Sequence, residues 1–103
     1  MSLIAISTND GLSWEPSKPI VGRGPIQPSL ISKKNGDILA YMRDSGDAPA
    51  RVQLSTSHDR GLTWSPALKS NIPNTASVAI IQLFDGRWAF VGNMINEGRY
   101  QLT

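Results

Sequence analysis

An internal repeat constrains the fold of this 103-residue chain more than any other feature of its sequence. The segment at residues 7–14, Ser-Thr-Asn-Asp-Gly-Leu-Ser-Trp, recurs 50 residues later at 57–64 as Ser-His-Asp-Arg-Gly-Leu-Thr-Trp. The turn dipeptide Asn35-Gly36 recurs with the same offset as Asp85-Gly86, and residues 51–55 are echoed by 99–103. The chain therefore contains two copies of a unit of about fifty residues.

Within each unit, apolar and polar residues alternate with the period of a β-strand, as Val52 and Leu54 do with Gln53 and Ser55. Nine glycines and seven prolines interrupt the chain too often for long helices. We predict strands at 3–7, 18–22, 28–33, 37–43, 51–57, 67–71, 76–84, 87–93 and 99–103. Four short strands in about fifty residues is the size of a β-propeller blade.

The order of these strands predicts an incomplete propeller. If the strands of a blade are named A to D from the axis outward, residues 1–22 supply C-D, residues 23–72 supply A-B-C-D, and residues 73–103 supply A-B-C. The predicted fold is all-β: a single partial domain of two four-stranded antiparallel blades of a six-bladed propeller. Two blades cannot close a ring, so we expect completion by other copies of the chain or by further sequence.

Composition argues against several other classes of protein. No apolar stretch approaches the ~20 residues that cross a bilayer, so a membrane is not an expected partner. The net charge is only +2, and the ten lysines and arginines are scattered, so nucleic acid is not expected either. Cysteine is absent, which excludes disulfides and thiol chemistry. The sequence predicts no cofactor and no metal ion.

The repeated motif is complete in its second copy, Ser57, Asp59, Gly61, Thr63 and Trp64. We expect the Asp59 carboxylate to accept hydrogen bonds from backbone N–H groups two residues on, as in an Asx turn. Gly61 supplies a positive φ angle, and the Thr63 hydroxyl ties the turn back. Trp64, like Trp14 of the first copy, is expected to fill the seam between neighbouring strands.

The first copy comprises Ser7, Asn9, Gly11, Ser13 and Trp14. Asn9 replaces the aspartate, and because its amide oxygen still accepts hydrogen bonds, this copy is expected to fold with a weaker cap. The two motifs resemble the Asp box, or BNR repeat, of sialidases and related propellers. The resemblance implies a structural role at the outer rim, between strands C and D. His58, inside the second box, is predicted to be an exposed turn residue.

A wider resemblance covers residues 22–103. The segments at 24–30 (Gly-Pro-Ile-Gln-Pro-Ser-Leu), 35–43, 72–77 and 85–88 are similar, in the same order, to the bacterial predicted-neuraminidase family of six-bladed propellers. In such propellers the ligand lies at the axial opening, reached by the ends of the inner strands and their loops. The substrate-binding candidates that this resemblance implies are Gln27, Arg43, Asn74, Asn93 and Arg99.

The chemistry of these candidates suits an acidic sugar, because arginine binds a carboxylate bidentately and amides bind hydroxyls. Each candidate also has a structural alternative. Arg43 is equally suited to an ion pair with Asp44 or Asp47. The two asparagines are equally suited to turns, and Arg99 to cross-strand pairing with Arg51.

The family also implies a tyrosine nucleophile tuned by a glutamate, and an aspartate acid/base. The arginine-isoleucine-proline motif of true sialidases is absent, the only glutamates are Glu15 and Glu97, and Tyr41 and Tyr100 suit packing as well as catalysis. The catalytic residues are therefore unknown. The leading expectation is a sialidase-like glycoside hydrolase with part of its active centre in this chain. The alternatives are a lectin-like carbohydrate-binding homotrimer without catalysis, and a fragment with no function of its own.

Overall fold

The computed structural model describes residues 2–46 and 49–92, and this part of the chain consists of antiparallel β-structure. Its strands are β1 (Ala5–Ile6), β2 (Glu15–Pro16), β3 (Pro25–Ser32), β4 (Ile38–Asp44), β5 (Arg51–Ser57), β6 (Leu68–Pro73), β7 (Ala79–Gln82) and β8 (Trp88–Val91). They form a two-stranded sheet β1-β2, a central four-stranded sheet β3-β4-β5-β6, and a two-stranded sheet β7-β8. The predicted strand at 99–103 lies outside the described residues.

The central sheet is an up-and-down meander, in which every strand pairs with its neighbour in the chain. The β3–β4 turn uses Asn35-Gly36: Gly36 has a φ of 93°, and its N–H donates to the Lys33 carbonyl at 3.0 Å. The Asn35 side-chain oxygen accepts from the Asp37 N–H at 3.0 Å. Glycine is favoured here because L side chains rarely adopt this backbone conformation.

The β7–β8 hairpin repeats this turn 50 residues later. Gly86 has a φ of 90° and donates to the Leu83 carbonyl at 3.0 Å, and the Asp85 carboxylate accepts from the Arg87 N–H at 3.1 Å. The two units contact each other through their first strands, where the Ile80 N–H donates to the Ser29 hydroxyl at 3.1 Å. The repeat in the sequence is therefore a repeat in local structure.

The prediction of a strand at 18–22 is wrong in its bounds. Residues 2–20 do fold back on themselves, but the ladder is broken into β1–β2 and an isolated bridge between Ser2 and Ile20. Prolines at 16 and 19 have no N–H to donate, which interrupts regular pairing. The segment instead bonds to the loop after β5, through the Lys18 N–H to the Leu62 carbonyl at 2.9 Å.

The core lies against one face of the central sheet. Ala40 and Met42 of β4 are fully buried with Ile20 from the N-terminal segment, and Trp64 packs against this cluster. Residues of opposite parity face the β7–β8 hairpin, where the rings of Tyr41 and Phe90 lie 6.2 Å apart. The central sheet is thus covered on both faces by other parts of the chain.

The alternating direction of the strands gives the central sheet two functionally different ends. We call the end with the β3–β4 turn and the loop after β5 the box end, since that loop is the second Asp box. The opposite end, which we call the site end, contains the start of β3, the β4–β5 connection and the last residues of β6. Arg43, Gln27 and Asn74 all lie at the site end.

Candidate functional site

The second Asp box is a closed hydrogen-bonded turn. The Asp59 carboxylate accepts from the Thr63 N–H at 2.9 Å and from the Thr63 hydroxyl, while the Ser57 hydroxyl oxygen accepts from the Gly61 N–H at 2.8 Å. Gly61 has a φ of 92°, and Trp64 Nε1 donates to its carbonyl at 2.8 Å. The predicted acceptor role is confirmed, but the N–H donor lies four residues after Asp59 rather than two.

These hydrogen bonds stabilise the charged form of the carboxylate. Donation from the Thr63 hydroxyl, followed by the Thr63 N–H, lowers the pKa of Asp59 from 3.8 to about 2. Both groups serve the turn, which agrees with a structural role for the box.

The first box has the same geometry with an uncharged acceptor. Asn9 Oδ1 accepts from the Ser13 N–H at 2.9 Å, Asn9 Nδ2 donates to the Ser13 hydroxyl at 2.7 Å, and Gly11 has a φ of 86°. The Ser7 hydroxyl accepts from the Gly11 N–H at 2.8 Å. Trp14, however, is 60% exposed, so within the described residues it does not pack as Trp64 does. The reason is that the core beside Trp64 has no counterpart over Trp14 in that part of the structure.

His58 connects the second box to the β3–β4 hairpin. Its side chain is 75% exposed, as predicted, and its Nδ1 lies 2.9 Å from Asp37 Oδ1. The hydrogen bond from His58 holds the pKa of Asp37 below its ordinary value. This pair belongs to the box end, at the opposite end of the strands from the candidate binding residues.

At the site end, a β-bulge places Gln27 beside Arg43. Arg43 pairs with Ile26 across β3 and β4, and the register shifts between Ile26 and Ser29. Gln27, inside the bulge, has a φ of 52° and an exposed side chain. Left-handed backbone is uncommon for a residue other than glycine, and bulges redirect side chains next to functional sites. The structure thus brings two of the five predicted binding residues together.

Arg43 carries an unsatisfied donor. Its Nε is buried and has no hydrogen-bond partner among the described residues. Strand alternation turns its neighbour Asp44 to the opposite face of the sheet, where other groups surround that carboxylate. The alternative pairing of Arg43 with Asp44 is therefore wrong, and the alternative pairing with Asp47 lies outside the described residues.

Asp44 is a residue whose importance the sequence reasoning missed. Its side chain is fully buried and its carboxylate accepts from Gln53 Nε2 at 2.9 Å and from the Gly46 N–H at 2.8 Å, while Lys69 Nζ lies 3.0 Å away. Burial raises the pKa of Asp44, but hydrogen bonds from Lys69 and the neighbouring groups outweigh burial and leave the pKa below 3.8. Strand alternation could have indicated its burial, because Asp44 is two residues after Met42 and therefore lies on the same buried face as Ala40 and Met42.

Of the three remaining binding candidates, Asn74 lies among the described residues and does not join Gln27 and Arg43. Asn74 is fully buried, its amide donates to the Ala76 carbonyl, and its own N–H donates to the Ala50 carbonyl at 3.3 Å. This is the turn role that the sequence also allowed. Asn93 and Arg99 lie outside the described residues, as do Glu97 and Tyr100.

Two candidates for catalysis, Tyr41 and Glu15, lie among the described residues, and Tyr41 is two residues before Arg43 on the same face of β4. Tyr41 packs its ring against Phe90, and Glu15 lies in β2, directly after the first Asp box. In residues 2–46 and 49–92, no cluster of three or more histidine, aspartate or glutamate side chains is arranged to hold a metal ion. Across the same residues, no helix has the length and hydropathy to cross a membrane.

Comparison with known proteins places the chain in a family. A search of curated proteins found no match. The family model described as "BNR repeat-like domain" matches residues 1–103, the whole length of the chain. This match agrees with the two Asp boxes, their hydrogen-bonded turns and the antiparallel sheets that carry them. The chain belongs to the BNR repeat-like domain family, the sialidase-like group of Asp-box proteins.

Proposed function

We propose that this chain supplies part of the carbohydrate-binding site of a sialidase-like glycoside hydrolase, with the site end of the central sheet facing the sugar. In this proposal Arg43 binds the carboxylate of an acidic sugar and Gln27 binds a hydroxyl. The observation that carries the proposal is the buried, unpartnered Nε of Arg43, next to the exposed amide of Gln27.

The unsatisfied donor favours an anionic ligand for a physical reason. A buried N–H without an acceptor carries a desolvation penalty of about 1–3 kcal/mol, and a ligand acceptor removes that penalty. The guanidinium group presents its donors in a planar fork that matches a carboxylate. When the Arg43 side chain turns towards the ligand, an incoming carboxylate gains a charge-assisted contact with the guanidinium group and supplies the acceptor that Nε lacks among the described residues.

Asp44 and the side chains that bond to it, Gln53 and Lys69, support the position of Arg43 from the other face of β4. Gln53 Nε2 bonds both to Asp44 and to the Arg23 carbonyl, at 2.9 and 2.8 Å, so it joins β4 and β5 to the segment that leads into β3. Lys69 ties β6 to the same carboxylate. Positioning of this kind holds binding groups on strands rather than on free loops.

We further propose that the sheets are blades of a six-bladed propeller, completed either by other copies of the chain, as a homotrimer, or by further sequence. The central meander with neighbouring sheets on both faces supports this arrangement. The exposed Trp14 at 60% and Leu12 at 87% also support it, because a further blade would cover them.

A second candidate function is carbohydrate binding without catalysis, in a lectin-like homotrimer. The observation that favours it is the packing of Tyr41 against Phe90, which occupies that tyrosine in the seam between β4 and the β7–β8 hairpin. Turnover of a fluorogenic sialoside separates the two functions, since only the hydrolase releases the fluorophore.

The test of the binding site is Arg43→Ala, with Arg43→Lys as a conservative variant and Arg87→Ala as a matched control. Arg87 is an exposed arginine at the box end, paired with Asp85 at 2.7 Å. We expect Arg43→Ala to weaken binding to a sialylated glycan at least about tenfold, Arg43→Lys to recover part of that loss, and Arg87→Ala to bind like the wild type. Unchanged binding by Arg43→Ala together with a lower melting temperature would contradict the proposal.

A further inference from the structure

A cleft lies at the box end, between the β3–β4 hairpin and the β7–β8 hairpin, and the Asp boxes and Arg43 take no part in it. Its volume is about 440 Å³, within the range of small-molecule sites in proteins. One wall is formed by residues 32–35 and the other by Gln82, Gly86 and Trp88. Both walls belong to this chain, so the cleft needs no other copy.

Trp88 provides an aromatic surface in this cleft. It pairs with Gln82 and lies two residues before Phe90, whose ring faces Tyr41 of the central sheet, so Trp88 is on the same face of β8. Its side chain remains 38% exposed. A tryptophan that is partly exposed on the wall of a cleft offers a flat apolar surface with an N–H donor.

The opposite wall provides positive charge and hydrogen-bonding groups. Lys33 and Lys34 are adjacent, exposed, and part of the cleft lining. Lys33 is close enough to Asp37 to lower the pKa of that carboxylate, whereas Lys34 has no ion pair among the described residues. Lys34 is therefore the cation of this wall that is available to a ligand.

We propose that this cleft is a binding site for a pyranose that carries a carboxylate. The apolar face of the sugar ring lies on Trp88, the carboxylate pairs with Lys34, and the amide of Gln82 binds a hydroxyl. A neutral sugar lacks the partner for Lys34, and a simple carboxylate lacks the ring that covers the indole. The combination of an aromatic wall with an unpaired ammonium group thus selects acidic sugars over both.

This site is separate from the proposed site at Arg43, because the two lie at opposite ends of β3 and β4. The inference does not depend on hydrolysis or on completion of a propeller ring. The two proposals can therefore fail independently.

The experiment is a titration of ¹⁵N-labelled protein, observed at the indole N–H signals of its three tryptophans. The probes are 3′-sialyllactose and methyl β-glucuronide, which distinguish a sialic acid from a uronic acid, with lactose and sodium acetate as the neutral-sugar and plain-anion comparisons. The variants are Lys34→Glu and Trp88→Phe, with Lys18→Glu as a control that makes the same change of charge on the N-terminal segment.

We expect at least one acidic sugar to shift the Trp88 signal, and lactose and acetate to leave it in place. Lys34→Glu is expected to weaken this binding on the order of tenfold or more, because it replaces an attractive charge with a repulsive one, while Lys18→Glu is expected to give the same Trp88 shift as the wild type. Trp88→Phe retains an aromatic ring and is expected to bind more weakly, as seen in saturation-transfer signals from the sugar.

Several results would overturn the inference. They are equal shifts with lactose or with acetate, wild-type affinity in Lys34→Glu, or no Trp88 shift with either acidic sugar. Since Lys34 is an exposed residue beside a turn, its replacement is expected to leave the fold intact, and the dispersion of the other amide signals checks this.

Discussion

Replacement of Asp44 with alanine is expected to destabilise the chain more than any other single substitution at the site end. The side chain of Asp44 is fully buried, and its carboxylate is surrounded by Gln53 Nε2, Lys69 Nζ and the Gly46 N–H at 2.8–3.0 Å. The Arg51 N–H contributes a longer bond at 3.3 Å. Alanine would leave these donors without their acceptor.

The magnitude follows from what remains after the substitution. Removal of one partner from a buried ion pair leaves an uncompensated charge, and typically costs about 3–5 kcal/mol. We expect Asp44→Ala to fall in this range, since three other donors lose a partner as well. Lys69→Met leaves the fully buried Asp44 carboxylate without its cation, but the carboxylate retains its other three donors, so we expect a somewhat smaller cost of about 2–3 kcal/mol.

The measurement is urea denaturation of wild type, Asp44→Ala, Lys69→Met and the double variant. A favourable coupling energy between the two positions of about 1 kcal/mol or more is expected from this cycle. The effect of Asp44→Ala should also shrink in acid. Because the folded-state pKa of Asp44 lies below 3.8, its stabilising contribution is present above that value and is lost as the pH falls below it.

A loss of less than about 1 kcal/mol in Asp44→Ala at neutral pH would refute this reasoning. So would a coupling energy near zero, which would mean that Lys69 and Asp44 act independently. Asp10→Asn serves as the control, since Asp10 is an exposed aspartate of the first Asp box and asparagine tolerates its left-handed φ of 60°, so this variant is expected to be nearly neutral.

Four further predictions concern the boxes and assembly. Trp64→Ala should cost about 2–4 kcal/mol in urea denaturation because Trp64 packs on the core, and Trp14→Ala, at a site 60% exposed, should cost about 1 kcal/mol or less; equal losses would contradict this difference. Asn9→Asp should stabilise by no more than about 1 kcal/mol through a charge-assisted cap, and a clear loss in melting temperature would count against it. With a folded-state pKa of about 2, Asp59 stabilises the fold above pH 3.8 and loses this effect as the pH falls from 3.8 towards 2, so Asp59→Asn should reduce the acid sensitivity of melting. If copies close a ring, light scattering should give three times 11.2 kDa, whereas a well-behaved monomer would exclude the homotrimer.

The local features of this protein could be predicted from its sequence. The repeat, the turns at Gly36 and Gly86, and the acceptor role of Asp59 and Asn9 all depend on hydrogen bonds between residues at most four positions apart. The alternation of apolar residues likewise predicted the central strands, because a strand places successive side chains on opposite faces. Such interactions are encoded in short segments, and they locate the strands and turns.

The tertiary structure decided the properties that depend on distant residues. Strand pairing is interrupted at the prolines of the N-terminal segment, and it bulges at Gln27. No local sequence pattern predicted either feature. The same pairing turned Arg43 to one face and Asp44 to the other, so that Asp44 meets Lys69, 25 positions away in sequence, while Arg43 Nε is left without an acceptor. The cleft beside Trp88 exists only because two hairpins, 50 residues apart, lie side by side. Burial and partnership of a side chain are set by how the sheets pack together, and a short stretch of sequence carries no record of that packing.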